Sequence, residues 1–369
     1  MTEIWLNYGS IDLVLDVMAE NLGEQITSRG TILNDTNLTD KLSTVDMSKG
    51  TELAVLYDTP AVRQTISAIC LLCEQRSKPI PRILADSKTA MTLKDSLPEG
   101  SSVSKMDGIS IDAPNLVFIS EIDLDGLFGF STSSVKLLRQ FGEESMLSAY
   151  TKRSGNVPTP GMPTKCMDVA NNFADRFEIQ SIEIAANSKG ILDVDVGHPS
   201  KTSGLTKKFE VASSIEAEET GTLVVSTGKS ASNETLSQAL NSIWSTYVGV
   251  KNGGVAVLLA ECARGTGSHA LQKFVEGRMN TDRLKSPSKY IQGMEDLLYL
   301  GEIKKRIQIG LVSVLPEMYA KKLGIVHLDS AKHALEYLLK TRGQRQKVSV
   351  VSDGSRVLLR PSSTVSLPE

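Results

Sequence analysis

The run from Val255 to Ala260 is the sequence feature that most constrains the fold of this chain. It is an unbroken apolar run that follows the pair Gly253-Gly254. Such a run is typical of a strand buried on both faces of a parallel sheet. A polar segment and the turn Gly265 to Ser268 follow, and a helical pattern then begins at His269 with Ser268 as the predicted N-cap. This order places the turn where open α/β sheets bind ligands, although it also fits an ordinary loop.

The same order recurs three times in the first half of the chain. Apolar runs at Leu53 to Tyr57, Arg82 to Ala85 and Leu116 to Ser120 each precede polar residues and a helical pattern. Successive units of this kind predict a parallel, doubly wound sheet. The chain has 369 residues, which is long enough for two cores. We therefore predict an α/β protein of two domains, residues 1–205 and 206–369, each a mainly parallel doubly wound sheet with flanking helices, with a cleft between them.

Charge and composition disfavour several classes of protein. The formal net charge is -3, and no block of Lys and Arg indicates a nucleic-acid surface. No apolar stretch reaches the roughly 18 residues that span a bilayer, and the N-terminus has no signal-peptide pattern. We therefore expect a cytoplasmic protein that binds neither nucleic acid nor a membrane. Its oligomeric state stays open, and a homo-oligomer is compatible with the sequence.

Cysteine and histidine usage limits the chemistry that the chain can perform. Four cysteines are too few for a disulfide framework in a chain of this length, and Cys70 and Cys73 lie in an apolar helical pattern that predicts burial. No second paired motif indicates zinc, and we predict no metal site. All four histidines come after residue 197. The first 197 residues therefore contain no imidazole to bind a metal or to act as acid or base.

Five stretches of the chain, in this order, resemble the nickel-pincer lactate racemase family. They are LNYG near the N-terminus, LAVLYDTPAVR from Leu53 to Arg63, EIDLDGLFGFS from Glu121 to Ser131, LLAECARGTGS from Leu258 to Ser268, and a late VSDG that ends at Gly354. The resemblance covers essentially the whole chain and is closest in the fourth stretch. It implies two α/β domains around a cleft, hydride transfer at the α-carbon of a 2-hydroxy acid, and a nickel-pincer nucleotide held covalently.

The positions of the family's histidines carry other residues here. The resemblance places its two acid/base histidines near Lys88 and at or beside Asp125, and its nickel histidine near Tyr150. Lys88 can accept a proton near neutral pH only as a neutral amine, and this requires burial to lower its pKa by about 3 units or more. A phenol is a poor nickel ligand beside an imidazole. The sequence therefore predicts altered chemistry, with Lys88 and Asp125 as the candidate acid and base.

Other positions in the resemblance imply contacts with substrate and cofactor. The pincer lysine falls at Val135, with Lys136 one residue along, so Lys136 is the candidate for cofactor attachment. Asp58 and Arg63 follow the family's substrate-binding strand, and Gln238 stands where a substrate-contacting glutamine is expected. The remaining candidates for cofactor binding are the glycines and hydroxyls of the two turns: Gly129, Ser131, Gly265, Gly267 and Ser268.

Two functions stay open on the sequence alone. The first is an isomerase of altered chemistry, a divergent 2-hydroxy-acid racemase or epimerase whose cofactor is unknown. The second is a non-catalytic protein that binds a small carboxylate or phosphate through backbone N–H groups of the glycine turns. Loss of the imidazoles with retention of the turns favours the second function. Convergence of Lys88, Asp125 and Lys136 on one cleft is the condition that the catalytic hypothesis must meet.

Overall fold

The computed structural model describes residues 2–47, 50–94, 96–106, 110–111, 113, 115–228 and 231–362, without the side chains of residues 88, 203, 231 and 283. The strands are β1 Thr2–Tyr8, β2 Ile11–Val17, β3 Leu22–Ile26, β4 Glu52–Val55, β5 Arg82–Ala85, β6 Val103–Lys105, β7 Leu116–Glu121, β8 Asp123–Asp125, β9 Gly129–Ser131, β10 Gln180–Asn187, β11 Gly190–Gly197, β12 Ser214–Ala217, β13 Thr220–Ser226, β14 Val250–Leu259, β15 Gln308–Val312, β16 Val326–Leu328, β17 Val348–Val351 and β18 Leu358–Pro361. The helices are α1 Asp35–Leu42, α2 Pro60–Gln75, α3 Ser87–Lys94, α4 Ser133–Phe141, α5 Glu143–Thr151, α6 Lys165–Ala174, α7 Ser203–Ser213, α8 Leu236–Thr246, α9 His269–Val275, α10 Met294–Ile303, α11 Glu317–Leu323 and α12 Ala331–Arg342.

The first half of the chain forms a six-stranded sheet with the order β11-β10-β7-β4-β5-β6. All neighbours are parallel except β10 and β11. The winding reverses between β4 and β7, because β5 and β6 lie on one side of β4 while β7 and β10 lie on the other. A reversal of this kind leaves a crevice at the carboxyl ends of the two strands.

The second half forms another six-stranded sheet, with the order β16-β15-β14-β13-β17-β3. All its neighbours are parallel, and its winding reverses between β13 and β17. Three two-stranded pairs, β1-β2, β8-β9 and β12-β18, complete the topology of the described residues. Two mainly parallel, doubly wound sheets with flanking helices confirm the predicted fold class.

The central apolar run lies in β14, as predicted, but this strand begins before the glycine pair rather than after it. The backbone passes through Gly253 with a φ of +72°, and the register with β13 shifts between Thr220 and Thr222. Glycine adopts a positive φ without a steric penalty. The pair therefore allows an irregularity within the strand and does not end it.

Successive side chains along a strand point to opposite faces of its sheet, so each sheet contributes to one core on each face. In β7, Leu116 and Phe118 pack into a core that also contains residues of α4 to α6, whereas Val117 and Ile119 pack into the core beneath α1 and α2. The first of these cores continues into the second half of the chain, where it includes Trp244. Because the strands are apolar on both faces, they appear in the sequence as unbroken apolar runs.

Residues 2–26 pack with the second sheet. Strand β3 pairs with β17, and the hairpin β1-β2 buries Leu6 and Leu15 in a core with Val224 and Val257. The predicted division at residue 205 lies inside α7, which begins at Ser203. The division into two domains stays a prediction. It assigns residues 2–26 to the first domain, whereas these residues pack with the second sheet.

Cys70 and Cys73 are free, buried thiols on α2, as predicted. Burial raises the pKa of both thiols. Over the part of the chain that the structure describes, no helix has the length and apolar character needed to cross a membrane.

Candidate functional site

A cavity of about 410 Å³ lies at the carboxyl ends of strands from both sheets. Segments after β4, β5 and β7 line it from the first half, and segments after β13, β14 and β17 line it from the second. Its volume is within the range of small-molecule pockets, about 300–1,000 Å³. The position is the one that reversal of winding provides in doubly wound sheets. This cavity is the candidate site.

Asp58 lines the cavity after β4, but its carboxylate is occupied. Arg63 donates from Nε to Oδ1 of Asp58 at 2.6 Å and from Nη2 to Oδ2 at 2.5 Å. Such a bidentate pair fixes both oxygens. The N-cap of α2 is Thr59, whose Oγ1 accepts the N–H of Val62 at 3.2 Å. Arg63 is not a cavity-lining residue, and it orients Asp58.

Lys136 and Arg356 form a buried ion network beside the cavity. Lys136 on α4 donates from Nζ to the carbonyl of Glu121 and lies 3.3 Å from Oδ2 of Asp123. Arg356 donates to the carboxylates of Glu121 and Asp123. Burial would raise the pKa of Asp123, but Lys136 and Arg356 hold it below its ordinary value. Both cations are almost fully buried, where charge is tolerated only when paired.

Asp125, the predicted acid or base, holds the loop that follows β8. Its Oδ1 accepts the N–H groups of Leu127 and Phe128, each at 2.8 Å. Its Oδ2 accepts from Arg139 at 3.0 Å, and Arg139 also donates to Glu295 at 2.8 Å. Both oxygens of Asp125 are therefore engaged within the protein.

Three buried carboxyl groups lie around the guanidinium of Arg139, and we call Asp125, Glu295 and Asp296 the acid cluster. Each is no more than 5% exposed. Glu295 and Asp296 lie in the first turn of α10, where the helix dipole favours negative charge. Oδ2 of Asp296 accepts from Oγ of Ser237 at 2.5 Å. Burial, and then the neighbouring charge of Glu295, raises the pKa of Asp296 well above its ordinary value.

The start of α8 contributes the amide of Gln238. Thr235 caps this helix and donates from Oγ1 to Oε1 of Gln238 at 2.7 Å. Because the amide oxygen is held in this way, the N–H₂ group of Gln238 is the part that remains to donate. Gln238 lines the cavity, as the predicted contact with a ligand requires.

The glycine turn after β14 packs against the start of α8. Gly267 lines the cavity with a φ of +64°, and a Cβ there would lie 2.3 Å from Thr235. Ser268 caps α9, as predicted, by accepting the N–H of Leu271 at 3.1 Å, and it donates to the carbonyl of Gln292 at 3.1 Å. The hydroxyl of Ser268 is thus used inside the protein.

Two buried polar groups beside the cavity have no hydrogen-bond partner within the described part of the chain. They are Oγ of Ser120, at the end of β7, and the indole N–H of Trp244 on α8. These residues are 3% and 1% exposed, and both line the cavity. A buried polar group without a partner costs about 1–3 kcal/mol. Such groups mark positions where a ligand can supply the missing hydrogen bonds.

The structure brings together two of the three residues whose convergence the catalytic hypothesis requires. Asp125 and Lys136 line the same cavity, and Ser131 joins them. Lys88 is the second residue of α3, after β5, and its side chain lies outside the described part of the structure. The convergence of Lys88 with the other two therefore stays a prediction.

Gly129 does not line the cavity and serves packing instead. Its φ is +83°, and a Cβ there would lie 2.1 Å from the carbonyl oxygen of Met162. Gly265 has the same φ of +83° but no atom within 4 Å of its Cβ position. We expect Gly129→Ala to lower the free energy of unfolding by at least about 2 kcal/mol and Gly265→Ala by about 1 kcal/mol, measured by urea denaturation. Equal losses in the two variants would show that φ alone sets the cost.

The residues at the family's nickel and pincer positions do not fit that cofactor. The Nζ of Lys136 is committed to Glu121 and Asp123. Tyr150 is buried away from the cavity and donates to the carbonyl of Leu284 at 2.5 Å. No histidine lines the cavity, and no three His, Cys, Asp or Glu side chains are grouped as metal ligands in the described ranges. The donor set does not suit a nickel-pincer centre.

Sequence reasoning missed several side chains of the site. These side chains belong to helices, whereas the sequence-based prediction considered residues at the ends of strands. They are Arg139, Trp244, Glu295 and Asp296. The one pattern in the sequence that involves them is the acid pair Glu295-Asp296 shortly after Gly293, and acids at such a position are typical of the start of a helix. That pattern predicts the helix and not a role in a cavity.

The comparison with known proteins bears on the fold. No family model matches the sequence, and no curated protein matches it. The lactate racemase apoprotein from Thermoanaerobacterium thermosaccharolyticum has a similar structure, with a TM-score of 0.71 over 97% of this chain and 100% of that one, at 14% identity. A protein from Thermotoga maritima is also similar, with a TM-score of 0.63 over 90% and 99% of the two chains, at 10% identity. The chain therefore has a lactate-racemase-like fold.

Proposed function

We propose that this chain binds a small polar molecule in the cavity between its two sheets, without nickel-pincer chemistry. The observation that supports the proposal is the pair of unpartnered groups, Oγ of Ser120 and the indole N–H of Trp244, beside a cavity of small-molecule size. A ligand that forms hydrogen bonds with both groups removes the cost of their burial. Asp58 and Gln238, which line the same cavity, are the proposed orienting residues.

A 2-hydroxy acid or related carboxylate, the ligand class implied by the resemblance, would depend here on neutral donors. Lys136 and Arg139 are already paired with carboxylates. The neutral donors that line the cavity include the amide of Gln238, the indole of Trp244 and the hydroxyl of Ser120. Neutral donors form hydrogen bonds with a carboxylate but supply no opposite charge to balance it inside a buried cavity. A carboxylate would therefore be held weakly.

Catalysis has less support than binding. Racemisation needs groups that can take up and return a proton or hydride at the reacting carbon. Both oxygens of Asp125 hold the loop and Arg139, and Lys136 is a buried, paired cation. Lys88 stays a predicted acid or base. The engaged carboxylate and ammonium favour binding without turnover, which is the second function that the sequence left open.

The proposal is tested on the purified full chain, co-expressed with the enzymes that make the pincer nucleotide. We expect an unmodified intact mass, no stoichiometric nickel, and no interconversion of D- and L-lactate. Binding is then measured by calorimetry and by thermal unfolding with lactate, glycerol, inorganic phosphate and small amines. Saturation at about 100 times the Kd stabilises the fold by about 2.7 kcal/mol. A mass increase equal to the pincer nucleotide, with one nickel ion, would contradict the proposal, as would the absence of binding by every compound.

A further inference from the structure

The cavity has more carboxyl groups than its cations can balance. Among the side chains that the structure describes, eight acidic residues line it against three basic ones. Each of the three is already in an ion pair within the protein: Lys136 with Asp123, Arg139 with the acid cluster, and Arg264 with Glu234. Two arginines outside the lining also contribute, since Arg63 pairs with Asp58 and Arg356 with Glu121 and Asp123. Five cations therefore serve the eight carboxyl groups. The helices that begin at the cavity offset part of the negative charge through their N-termini. The excess nevertheless opposes binding of an anion.

The excess is greatest at the acid cluster. Arg139 is the cation in contact with two of its members, and Asp296 accepts a hydrogen bond from Ser237. One positive charge therefore serves three carboxyl groups that are all at least nine-tenths buried. A second cation at this position would be held by strong, weakly screened interactions.

The unpartnered indole lies next to the acid cluster. Gly126 directly follows Asp125, and a Cβ on it would lie 3.3 Å from Cδ1 of Trp244, the carbon bonded to the indole nitrogen. Tyr299 on α10 lies edge-on to Trp244, with ring centroids 6.1 Å apart. An indole N–H donates only, so it requires an oxygen acceptor on the ligand. Ser120 adds a hydroxyl that can donate or accept.

We propose that the cavity binds a small hydroxylated amine, with its ammonium against the acid cluster and its hydroxyl groups bonded to the indole N–H of Trp244 and to Ser120. This inference rests on the proposed function, that the cavity holds a small molecule, and it names the ligand class. It departs from the 2-hydroxy acid that the resemblance implies, because the free groups here are acids and neutral donors rather than cations.

The two ligand classes have opposite dependence on pH. The groups around Asp296 are Glu295 on its own helix, Arg139 on α4, Asp125 on β8 and Ser237 on α8. Burial and the charge of Glu295 raise the pKa of Asp296 well above its ordinary value, so its carboxyl group keeps a proton to higher pH than a solvated aspartate does. An ammonium displaces that proton and therefore binds more tightly as the pH rises. A carboxylate accepts a hydrogen bond from the protonated group and binds more weakly as the pH rises.

Three ligands with the same three-carbon frame separate charge from shape: serinol as the cation, glycerol as the neutral molecule and glycerate as the anion. In calorimetry on the full chain, we expect serinol to bind at least tenfold more tightly than the other two, with an affinity that rises with pH. Tighter binding of glycerol or glycerate would overturn this inference and leave the proposed function standing. Binding of none of the three would overturn the inference, while the wider panel above decides the proposed function.

Two variants locate the binding site. Glu295→Gln is expected to weaken serinol binding at least tenfold, whereas Glu302→Gln, on the same helix and paired with Lys305 at the surface, is expected to leave it unchanged. Trp244→Phe keeps an aromatic ring but removes the N–H. It is expected to weaken binding of serinol and not of isopropylamine, which lacks the hydroxyl groups. Unchanged serinol binding in both cavity variants would overturn the assignment.

Discussion

Replacing Arg356 by methionine is expected to lower the free energy of unfolding by about 3–5 kcal/mol. Arg356 is 3% exposed and donates to the carboxylates of Glu121 and Asp123. Removal of the guanidinium leaves the carboxylate of Glu121, which is 6% exposed, without its cation in a poorly solvated position. The loss therefore comes from the uncompensated charge more than from the contact itself. Urea denaturation of the full chain at pH 7 measures it.

Two further variants test that explanation. Arg278→Met removes the cation of an exposed pair with Glu276 and is expected to leave the free energy of unfolding nearly unchanged. Adding Glu121→Gln to Arg356→Met is expected to recover part of the loss, since the buried charge is then gone. A loss below about 1 kcal/mol for Arg356→Met, or no recovery in the double variant, would contradict a buried ion network that depends on Arg356.

Glu183 is expected to make the fold less stable as the pH rises from 4.5 to about 7. It is fully buried on β10, and its Oε1 accepts the N–H of Ser133 at 2.7 Å. Burial raises the pKa of Glu183 to about 7, against the lowering effects of Lys136 and Ser133. Between the ordinary value of 4.5 and about 7, the folded protein keeps a proton that the unfolded chain releases. The free energy of unfolding therefore falls with rising pH, by up to about 1.4 kcal/mol per pH unit.

The variant Glu183→Gln isolates this effect, because an amide resembles the protonated acid and does not titrate. Urea denaturation of both proteins between pH 4.5 and pH 7.5 gives the difference in stability. We expect the difference to shift in favour of the glutamine variant by about 3 kcal/mol across the window, and to level off above it. The raised pKa of Asp353, about 6, is common to both proteins and cancels. A difference that does not change with pH would show that Glu183 is ionised in the folded protein.

The fold class was predictable because burial on both faces of a strand leaves a local mark. The runs at Leu116 to Ser120 and Val255 to Ala260 became β7 and β14, both inside parallel sheets. Strand β3, Leu22–Ile26, had no such mark, since its sequence LGEQI contains no apolar run and it lies at a sheet edge. Its pairing with β17 joins segments more than 300 positions apart, and no local pattern encodes such a contact.

The candidate site was predictable in position and not in its charges. Residues at the ends of strands, such as Asp58 and Asp125, were expected at the cleft and line the cavity. The pairing of Asp125 with Arg139, and of Arg139 with Glu295, was not expected, because these partners come from helices in different halves of the chain. An acid at the end of a strand has the same appearance in the sequence whether it faces a ligand or a buried arginine.

The sequence by itself determined that the chain forms doubly wound α/β sheets and that strand ends surround a cleft, because hydrophobic periodicity and turn residues act over a few positions. Only the tertiary structure decided which of the polar groups there are free to act. Glu121 and Arg356 are 235 positions apart, yet they neutralise each other in the folded protein. Such pairing depends on which side chains the assembled core brings within hydrogen-bond distance. It also decides which groups are left for a ligand, such as the indole of Trp244 and the carboxyl group of Asp296.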